Sequence, residues 1–254
     1  MTEKTTTPKR VLVTGSTGAI GQPLAHHLLA RGHHVRGFAR RPTPGLDDYV
    51  TGDLVDRDVV RRAVEGVDAV VHLGAYPNPA DFVDVLLGPN VVGLYHVCEA
   101  AAAFKVPRLV LASSVQVISG HPRDRLVRVE DGPKPVNHYA LTKAWAEIAG
   151  DMYARVHNLS VISVRIGWFP RNTAECRRLA ASPFGRDIFL SHRDSDRFLT
   201  LCVESENPPP GTSVILQAAS KPVGNGRMDL EPARRVIGYE PRDRWPEGLP
   251  FPVE

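Results

Sequence analysis

Cysteine is scarce in this chain: Cys98, Cys176 and Cys202 are the only three in 254 residues, and none stands in a CxxC pair. An odd number of scattered thiols excludes a disulfide framework and points to a reducing, cytoplasmic setting. Long apolar runs are missing too. None approaches the 18 uninterrupted residues of a bilayer span, so no membrane-crossing helix is expected. Residues 1–10 are polar and threonine-rich and lack the apolar stretch of a signal peptide. Charge of one sign is nearly absent. The net charge of +3 is too small to argue for nucleic acid as a partner. The ten histidines are scattered without an HExxH pair, and no metal site is expected. There are no internal repeats and no low-complexity tract beyond residues 1–8, which read as a disordered tail.

What is present is an ordinary globular composition, 43% hydrophobic and 23% charged, which excludes a disordered or collagen-like chain. The pattern predicts strands over 10–14, 35–39, 48–51, 69–73, 108–112 and 160–166. Helices are predicted over 19–31, 56–65, 91–104 and 138–157. Strands that are continuously apolar, alternating with helices, indicate a parallel sheet covered on both faces, a doubly wound α/β Rossmann architecture. Residues 9–170 form this dinucleotide-binding part. After Pro170 the rhythm loosens: 171–186 is basic, 191–205 reads as a helix capped by Ser191, 213–217 as a strand and 229–237 as a short helix. We expect residues 171–254 to form a small substrate-binding lobe, interleaved with the first part in one folding unit.

Directly after the first strand comes Thr14-Gly15-Ser16-Thr17-Gly18-Ala19-Ile20-Gly21, a GxxGxxG turn opening a helix. Glycines allow a tight turn and a close approach of pyrophosphate, and the helix N-terminus offers free N–H groups to it. Gly15, Thr17, Gly18, Ala19, Ile20 and Gly21 are therefore candidate cofactor contacts. The second strand would end on an acid if it bound an unmodified adenosine ribose. It ends instead on Ala39-Arg40-Arg41. A guanidinium grips a 2′-phosphate that a carboxylate would repel, so NADP is the preferred cofactor here and NAD the possible alternative. Asp53 and Leu54 follow the third strand, where an acid and its neighbour's backbone can hold the adenine. Leu73, Gly74 and Ala75 end the fourth strand, where backbone must pass close to a ligand. Asn90 opens the next helix, Ser114 ends the fifth strand, and Arg165-Ile166-Gly167 ends the sixth. All these positions fall at carboxyl ends of parallel strands, the edge at which such sheets bind ligands.

Tyr139 and Lys143 lie four apart on a predicted helix and share one face. A nearby ammonium would favour the phenolate and lower the tyrosine pKa toward that of a working general base. In combination, TGxxGxxG, GDL, HLGA, Asn90, the strand-end serine and YxxxK resemble the extended short-chain dehydrogenase/reductases, the NAD-dependent epimerase/dehydratase family, from Arg10 to about Pro170. The resemblance implies that Ser114 orients and polarises the substrate oxygen, that Tyr139 transfers the proton, and that Lys143 holds the nicotinamide ribose and activates the tyrosine. It implies that Asn90 supports the lysine through the active-site hydrogen-bond network, and that Ser113 caps the strand end rather than acting in catalysis.

Arg165-Ile-Gly, Arg177-Arg-Leu and Leu190-Ser-His-Arg-Asp194 further resemble uronate dehydrogenases, which oxidise C1 of a hexuronic acid. That likeness places Arg177 on the substrate carboxylate and Ser114, Gln116 and Tyr139 about the sugar. The chain departs from those enzymes at Val115 and Gln116 (Asn and His there), at Pro77 (Ser) and at Ala39 (Asp), and 183–189 resembles an insertion. The expected function is an NAD(P)-dependent oxidoreductase of sugars or sugar acids. A nucleotide-sugar epimerase and a non-catalytic NADP-binding redox regulator are the alternatives. Related enzymes pair the helices corresponding to 91–104 and 138–157 across a dimer, so a homodimer is expected.

Overall fold

The computed structural model describes residues 7–253; most of the tail expected over 1–8 lies outside the described residues. Seven parallel strands form one sheet in the order β3-β2-β1-β4-β5-β6-β7. They are β1 (Arg10–Thr14), β2 (His34–Ala39), β3 (Asp48–Thr51), β4 (Ala69–His72), β5 (Arg108–Ser114), β6 (Ser160–Ile166) and β7 (Ser213–Ala218). The strand order reverses beside β1, where β4 pairs with it on the side opposite β2. This is the Rossmann arrangement, and it opens a crevice above the carboxyl ends of β1 and β4.

Helices cover both faces because successive strand residues point to opposite sides. Val11 and Val13 face one layer with Leu24, Ala25 and Leu28 of α1 (Gly21–Ala30) and Phe198, Leu199, Cys202 and Val203 of α6 (His192–Glu204). Leu12 faces the other with α2 (Arg57–Val64), α3 (Gly93–Ala103) and α4 (His138–His157), whose Ala146, Ala149, Tyr153 and Ala154 reach the sheet. Strands buried on both sides must be apolar at every position, which is why they read as unbroken runs.

The structure shifts several expected boundaries. The first helix begins at Gly21 rather than 19, because the Gly18 N–H is still bonded within the turn to the Gly15 carbonyl (2.9 Å). The helix expected from 91 begins at Phe82: eleven π-helical residues (Phe82–Val92), containing Pro89, run into α3. A proline would break the hydrogen-bonding of a regular α-helix, and Pro89 sits instead in the wider π turn. The resulting 22-residue helix Phe82–Ala103 is long and apolar enough for a bilayer by length and composition. Counting uninterrupted runs missed it because Asp84, Asn90, His96 and Glu99 punctuate the segment. Within α3, Leu94, Val97, Cys98, Ala100 and Ala101 are buried in the core.

Beyond residue 170 the chain returns to the sheet. β7 pairs with β6 in register from Val161↔Ser213 to Ile166↔Ala218, and α7 (Glu231–Ile237) completes the α1–α6 layer. The basic stretch 171–186 contains a helix, α5 (Thr173–Ala181), which Asn172 caps by accepting the Glu175 N–H. A third small core of Ile118, Val127, Ile188, Ala219 and Met228, with Val115, Trp168 and Phe184 against it, joins segments from both halves above the sheet. The Leu190–Asp194 motif is structural. Ser191 caps α6 through the Asp194 N–H, while buried Asp194 accepts from Ser220 Oγ (2.7 Å) and the Arg242 and Asp243 N–H groups (3.0 Å each).

Candidate active site

A cleft of about 1630 Å³ runs along the carboxyl edge of the sheet, larger than the roughly 300–1,000 Å³ of a single small-ligand pocket. Its first wall is the glycine turn. Gly15 has φ +68°, and a Cβ there would lie 2.9 Å from the Gly74 amide nitrogen. A Cβ on Gly21 would lie 2.3 Å from the Gly15 carbonyl oxygen. The two strand ends therefore approach as closely as they do only because side chains are missing. Thr14 Oγ1 accepts the Gly74 N–H (3.0 Å) and meets His72 Nδ1 at 2.8 Å. Burial, assisted by the Lys143 charge, lowers the His72 pKa to about 3, so it is a neutral structural imidazole.

Thr17, Gly18, Ala19 and Ile20 line the cleft beside Gly15 and Gly21. Helix α1 opens without a side-chain cap and without an acid in its first turn; the Gln22 and Leu24 N–H groups bond the Gly18 and Ile20 carbonyls, and the Ala19, Ile20 and Gly21 N–H groups just before them are the ones open to an anion. Arg40 and Arg41 line the same end; both are exposed, and neither has an ion pair or side-chain hydrogen bond to a described residue. Asp53 and Leu54 line the cleft next to them, with Asp53 also capping its own turn through the Val55 N–H (3.1 Å). Leu73, Gly74, Ala75 and Ile166 form the floor toward the centre.

The reacting end is built from β5 and α4. Asn137 caps α4 through the Ala140 N–H (2.8 Å), so the helix begins at His138 and turns Tyr139 and Lys143 to one side. Ser114 Oγ accepts the Gln116 N–H (3.1 Å), and its hydroxyl lies near enough to Tyr139 to favour the phenolate. Gln116 Oε1 accepts from Asn137 Nδ2 (3.0 Å), and Ser114, Gln116, Tyr139 and Lys143 all line the cleft. Lys143 Nζ donates to the Ala112 carbonyl (3.0 Å) and stands 5.8 Å from the Tyr139 ring centre. Burial draws the Lys143 pKa down to about 8. The expectation that the lysine lowers the tyrosine pKa is not met. Burial raises the Tyr139 pKa, opposed by the neighbouring Ser114 hydroxyl and the Arg171 charge, while the ammonium is turned toward a backbone carbonyl. Ser113 does not cap the strand; its hydroxyl donates to buried Glu147 (2.6 Å), which also takes a two-pronged bond from buried Arg165 (2.8 Å each).

Two expected site residues stand elsewhere. Asn90 lies outside the cleft lining: its Oδ1 accepts the Tyr76 N–H (2.7 Å), and its Nδ2 donates to the Tyr76 carbonyl and Thr142 Oγ1. It ties the loop after β4 to α4 and makes no bond to Lys143. Arg177 is exposed on α5 and does not line the cleft, whereas Arg171, Glu175 and Arg178 do. Residues 175 and 178, three apart, share a helix face, and 177 points away from it. That spacing was available in the sequence. Trp168, Phe184, Arg123 and Arg227, which complete this end, had no local signal because they come from three separate segments.

A glycine cradle that any Cβ would obstruct, an uncapped helix start and free arginines at the ribose end together fit a dinucleotide, and the adjoining Ser114–Tyr139–Lys143 group supplies proton-handling side chains. These features define a dinucleotide-dependent enzyme. The chain belongs to the NAD dependent epimerase/dehydratase family, whose model matches residues 11–168, and is an NAD(P)-dependent short-chain dehydrogenase/reductase of the extended type. It is 33% identical over 250 residues to the L-arabinose 1-dehydrogenase (NAD(P)(+)) of Haloferax volcanii, covering 92% of this chain and 96% of that one. It is 33% identical over 168 residues to the uronate dehydrogenase of Pseudomonas putida, 64% of this chain and 62% of that protein. Among solved structures, the uronate dehydrogenase from Agrobacterium tumefaciens superposes with a TM-score of 0.79 at 26% identity, covering 92% of this chain and 85% of that one.

The buried lysine gives a pH test. Between about pH 8 and 10.5 the unfolded chain still holds the Lys143 proton that the folded chain has released, so this residue makes stability rise with pH across that window, by on the order of 3 kcal/mol. Urea unfolding at pH 7.5 and 10 should show the wild type gaining stability relative to Lys143→Met. Parallel pH profiles for the two proteins would show that the lysine is not titrating below its ordinary range.

Proposed function

We propose that the protein is an oxidoreductase of sugars or sugar acids, with Tyr139 as the proton-transferring group. The observation that carries this reading is the placement of Ser114, Tyr139 and Lys143 together in the same cleft as the glycine turn. A bound nicotinamide would supply the hydride acceptor or donor. Gly15, Thr17, Gly18, Ala19, Ile20 and Gly21 would hold its pyrophosphate, Asp53 and Leu54 its adenine, and Lys143 its nicotinamide ribose. Ser114 receives the substrate oxygen and fixes it beside the Tyr139 hydroxyl. The raised Tyr139 pKa keeps the phenol protonated near neutrality, so it gives its proton to a carbonyl oxygen directly. In the oxidative direction it must take a hydroxyl proton, which asks for additional positive charge near the phenol. Arg171 already contributes in that sense, and Lys143 does so if its ammonium turns from Ala112. General acid–base groups contribute about 10²–10⁴-fold in rate. Tyr139→Phe should lose turnover by that factor and retain dinucleotide affinity. A wild-type rate in the purified variant would assign the proton to another group.

NADP is the preferred cofactor in this reading, because Arg40 and Arg41 line the cleft without carboxylate partners among the described residues. Calorimetric titration should give tighter binding of NADP⁺ than NAD⁺. Arg40→Ala should weaken NADP⁺ about 10–100-fold, the worth of a charged hydrogen bond, and leave NAD⁺ nearly unchanged. Equal wild-type affinities would reject the preference.

We further propose a homodimer through α3 and α4. Leu141, Ile148, Met152 and Val156 form a helical stripe on α4 that is 38–65% exposed, with Tyr95 of α3 47% exposed. Such a row on a helix whose other face is buried suits a partner helix. Sedimentation should show a dimer at micromolar concentration and a monomer for Ile148→Glu; a monomeric wild type would overturn the assignment.

A further inference from the structure

A second line of contacts reaches the reacting group from the start of α4. Ser114 ends β5, and its Oγ accepts the Gln116 N–H (3.1 Å), which opens the short turn Val115–Ile118. Gln116 Oε1 accepts from Asn137 Nδ2 (3.0 Å), 21 residues on. Asn137 is also the cap of α4, its Oδ1 accepting the Ala140 N–H (2.8 Å). The Lys134 N–H donates to the Val117 carbonyl (2.7 Å), so the two ends of the intervening segment are held side by side. Gln116 lines the cleft with Ser114 and Tyr139, and Asn137 does not; it stands behind Gln116. The oxygen and nitrogen of a side-chain amide are told apart by their partners, and here the partners leave one assignment. A backbone N–H only donates, so the atom that Asn137 turns to Ala140 is its oxygen. Its nitrogen is then the atom that meets Gln116. A donor needs an acceptor, so Gln116 turns its oxygen to Asn137 and its nitrogen away. That nitrogen has no hydrogen bond to a described residue, and it is the polar atom Gln116 has left for the cleft. Ser114 Oγ, having accepted the Gln116 N–H, keeps its own proton to give.

We propose that Asn137 is a positioning residue: by holding Gln116 as a hydrogen-bond donor beside Ser114, it makes the site select a substrate with an acceptor oxygen on the atom next to the reacting carbon. A hydroxyl, a ring oxygen or a carbonyl accepts from the Gln116 Nε2–H. A carbon bearing only hydrogen leaves that donor unpaired, and an ammonium group, itself a donor, opposes it. The cap alone does not need asparagine, because a serine oxygen serves the same helix amide. What asparagine adds is a second polar atom, the donor Nδ2, and that atom is the one that reaches Gln116. The inference rests on the sugar-oxidoreductase reading for the class of substrate, and adds which substituent the site senses and what sets its polarity.

Two substitutions separate the cap from the polarity. Asn137→Ser keeps the cap and loses the tie to Gln116. Asn137→Asp keeps the cap but offers Gln116 an acceptor, which turns the Gln116 amide round and puts its oxygen into the cleft. Each is also made together with Gln116→Ala, where a residue that acts through Gln116 has nothing left to act on. The polarity is measured without substrate, by solvent exchange of side-chain amide protons in nitrogen–proton NMR spectra; the Gln116 signals are those lost in Gln116→Ala. The Gln116 Nε2 protons should exchange freely in wild type and become protected about tenfold or more in Asn137→Asp. Wild-type Gln116 Nε2 protons as protected as the Asn137 Nδ2 proton would overturn the assignment. Selectivity is measured as kcat/KM with saturating NADP⁺ or NAD⁺ for glucose, galactose and their 2-deoxy and 2-amino-2-deoxy forms, position 2 being next to the anomeric carbon. Wild type should favour the 2-hydroxyl sugars by about tenfold or more. Asn137→Ser should cut that margin below about threefold with an unchanged urea midpoint, and Asn137→Asp should shift preference toward the amino sugar. Neither shift should appear alongside Gln116→Ala. A margin that survives Asn137→Ser, or shifts of equal size without Gln116, would overturn the proposal and leave the oxidoreductase reading in place. The stated amide polarity without turnover of any sugar would remove that reading and uphold the Asn137–Gln116 assignment.

Discussion

The buried ion pair between Arg165 and Glu147 is the interaction on which the working geometry depends. Arg165 sits at the end of β6, Glu147 one turn beyond Lys143 on α4, and Ser113, one residue before Ser114 on β5, joins them. The two elements that carry Ser114, Tyr139 and Lys143, β5 and α4, are thus locked to each other and to β6 through a carboxylate at the sheet's carboxyl edge. Such a pair is costly to desolvate and contributes little net stability, but removing one partner strands a buried charge, commonly at about 3–5 kcal/mol. Its value here is geometric. It sets the depth and rotation of α4 against β5, and therefore where the Tyr139 hydroxyl stands relative to Ser114.

Around that lock the cleft divides by chemistry. At the glycine-turn end the cleft is shaped by what is missing: Cβ atoms at Gly15 and Gly21, a cap on α1 and an acid after β2. Backbone amides then face a site that strand packing alone holds open. At the substrate end, recognition is made by long side chains from distant segments, collected by the small core around Ile118, Val127, Ile188, Ala219 and Met228. The first end rests on a rigid sheet edge; the second is held by a satellite core and several arginine clamps.

Much of this was legible in the chain before any coordinates. Unbroken apolar strands dictated a two-sided parallel sheet, because an alternating strand could not be buried on both faces. The glycine turn, Ser114 and the Tyr139–Lys143 spacing are local patterns, and local backbone geometry puts each at a strand end or on one helix face. Ser191 as a helix cap is of the same kind. Tertiary structure decided what depends on neighbours remote in sequence. It set the protonation of Tyr139, because burial outweighs the Ser114 hydroxyl and the Arg171 charge, and it moved Asn90 from the cleft to a bracket between Tyr76 and Thr142. It replaced Arg177 with Arg171 and Arg178, because the orientation of α5 against the cleft is set by packing. It also brought Arg123 and Arg227 to a single phenyl ring across a hundred residues. No sequence period encodes such a meeting: it follows from how the cover closes on the sheet, which only the packed chain resolves.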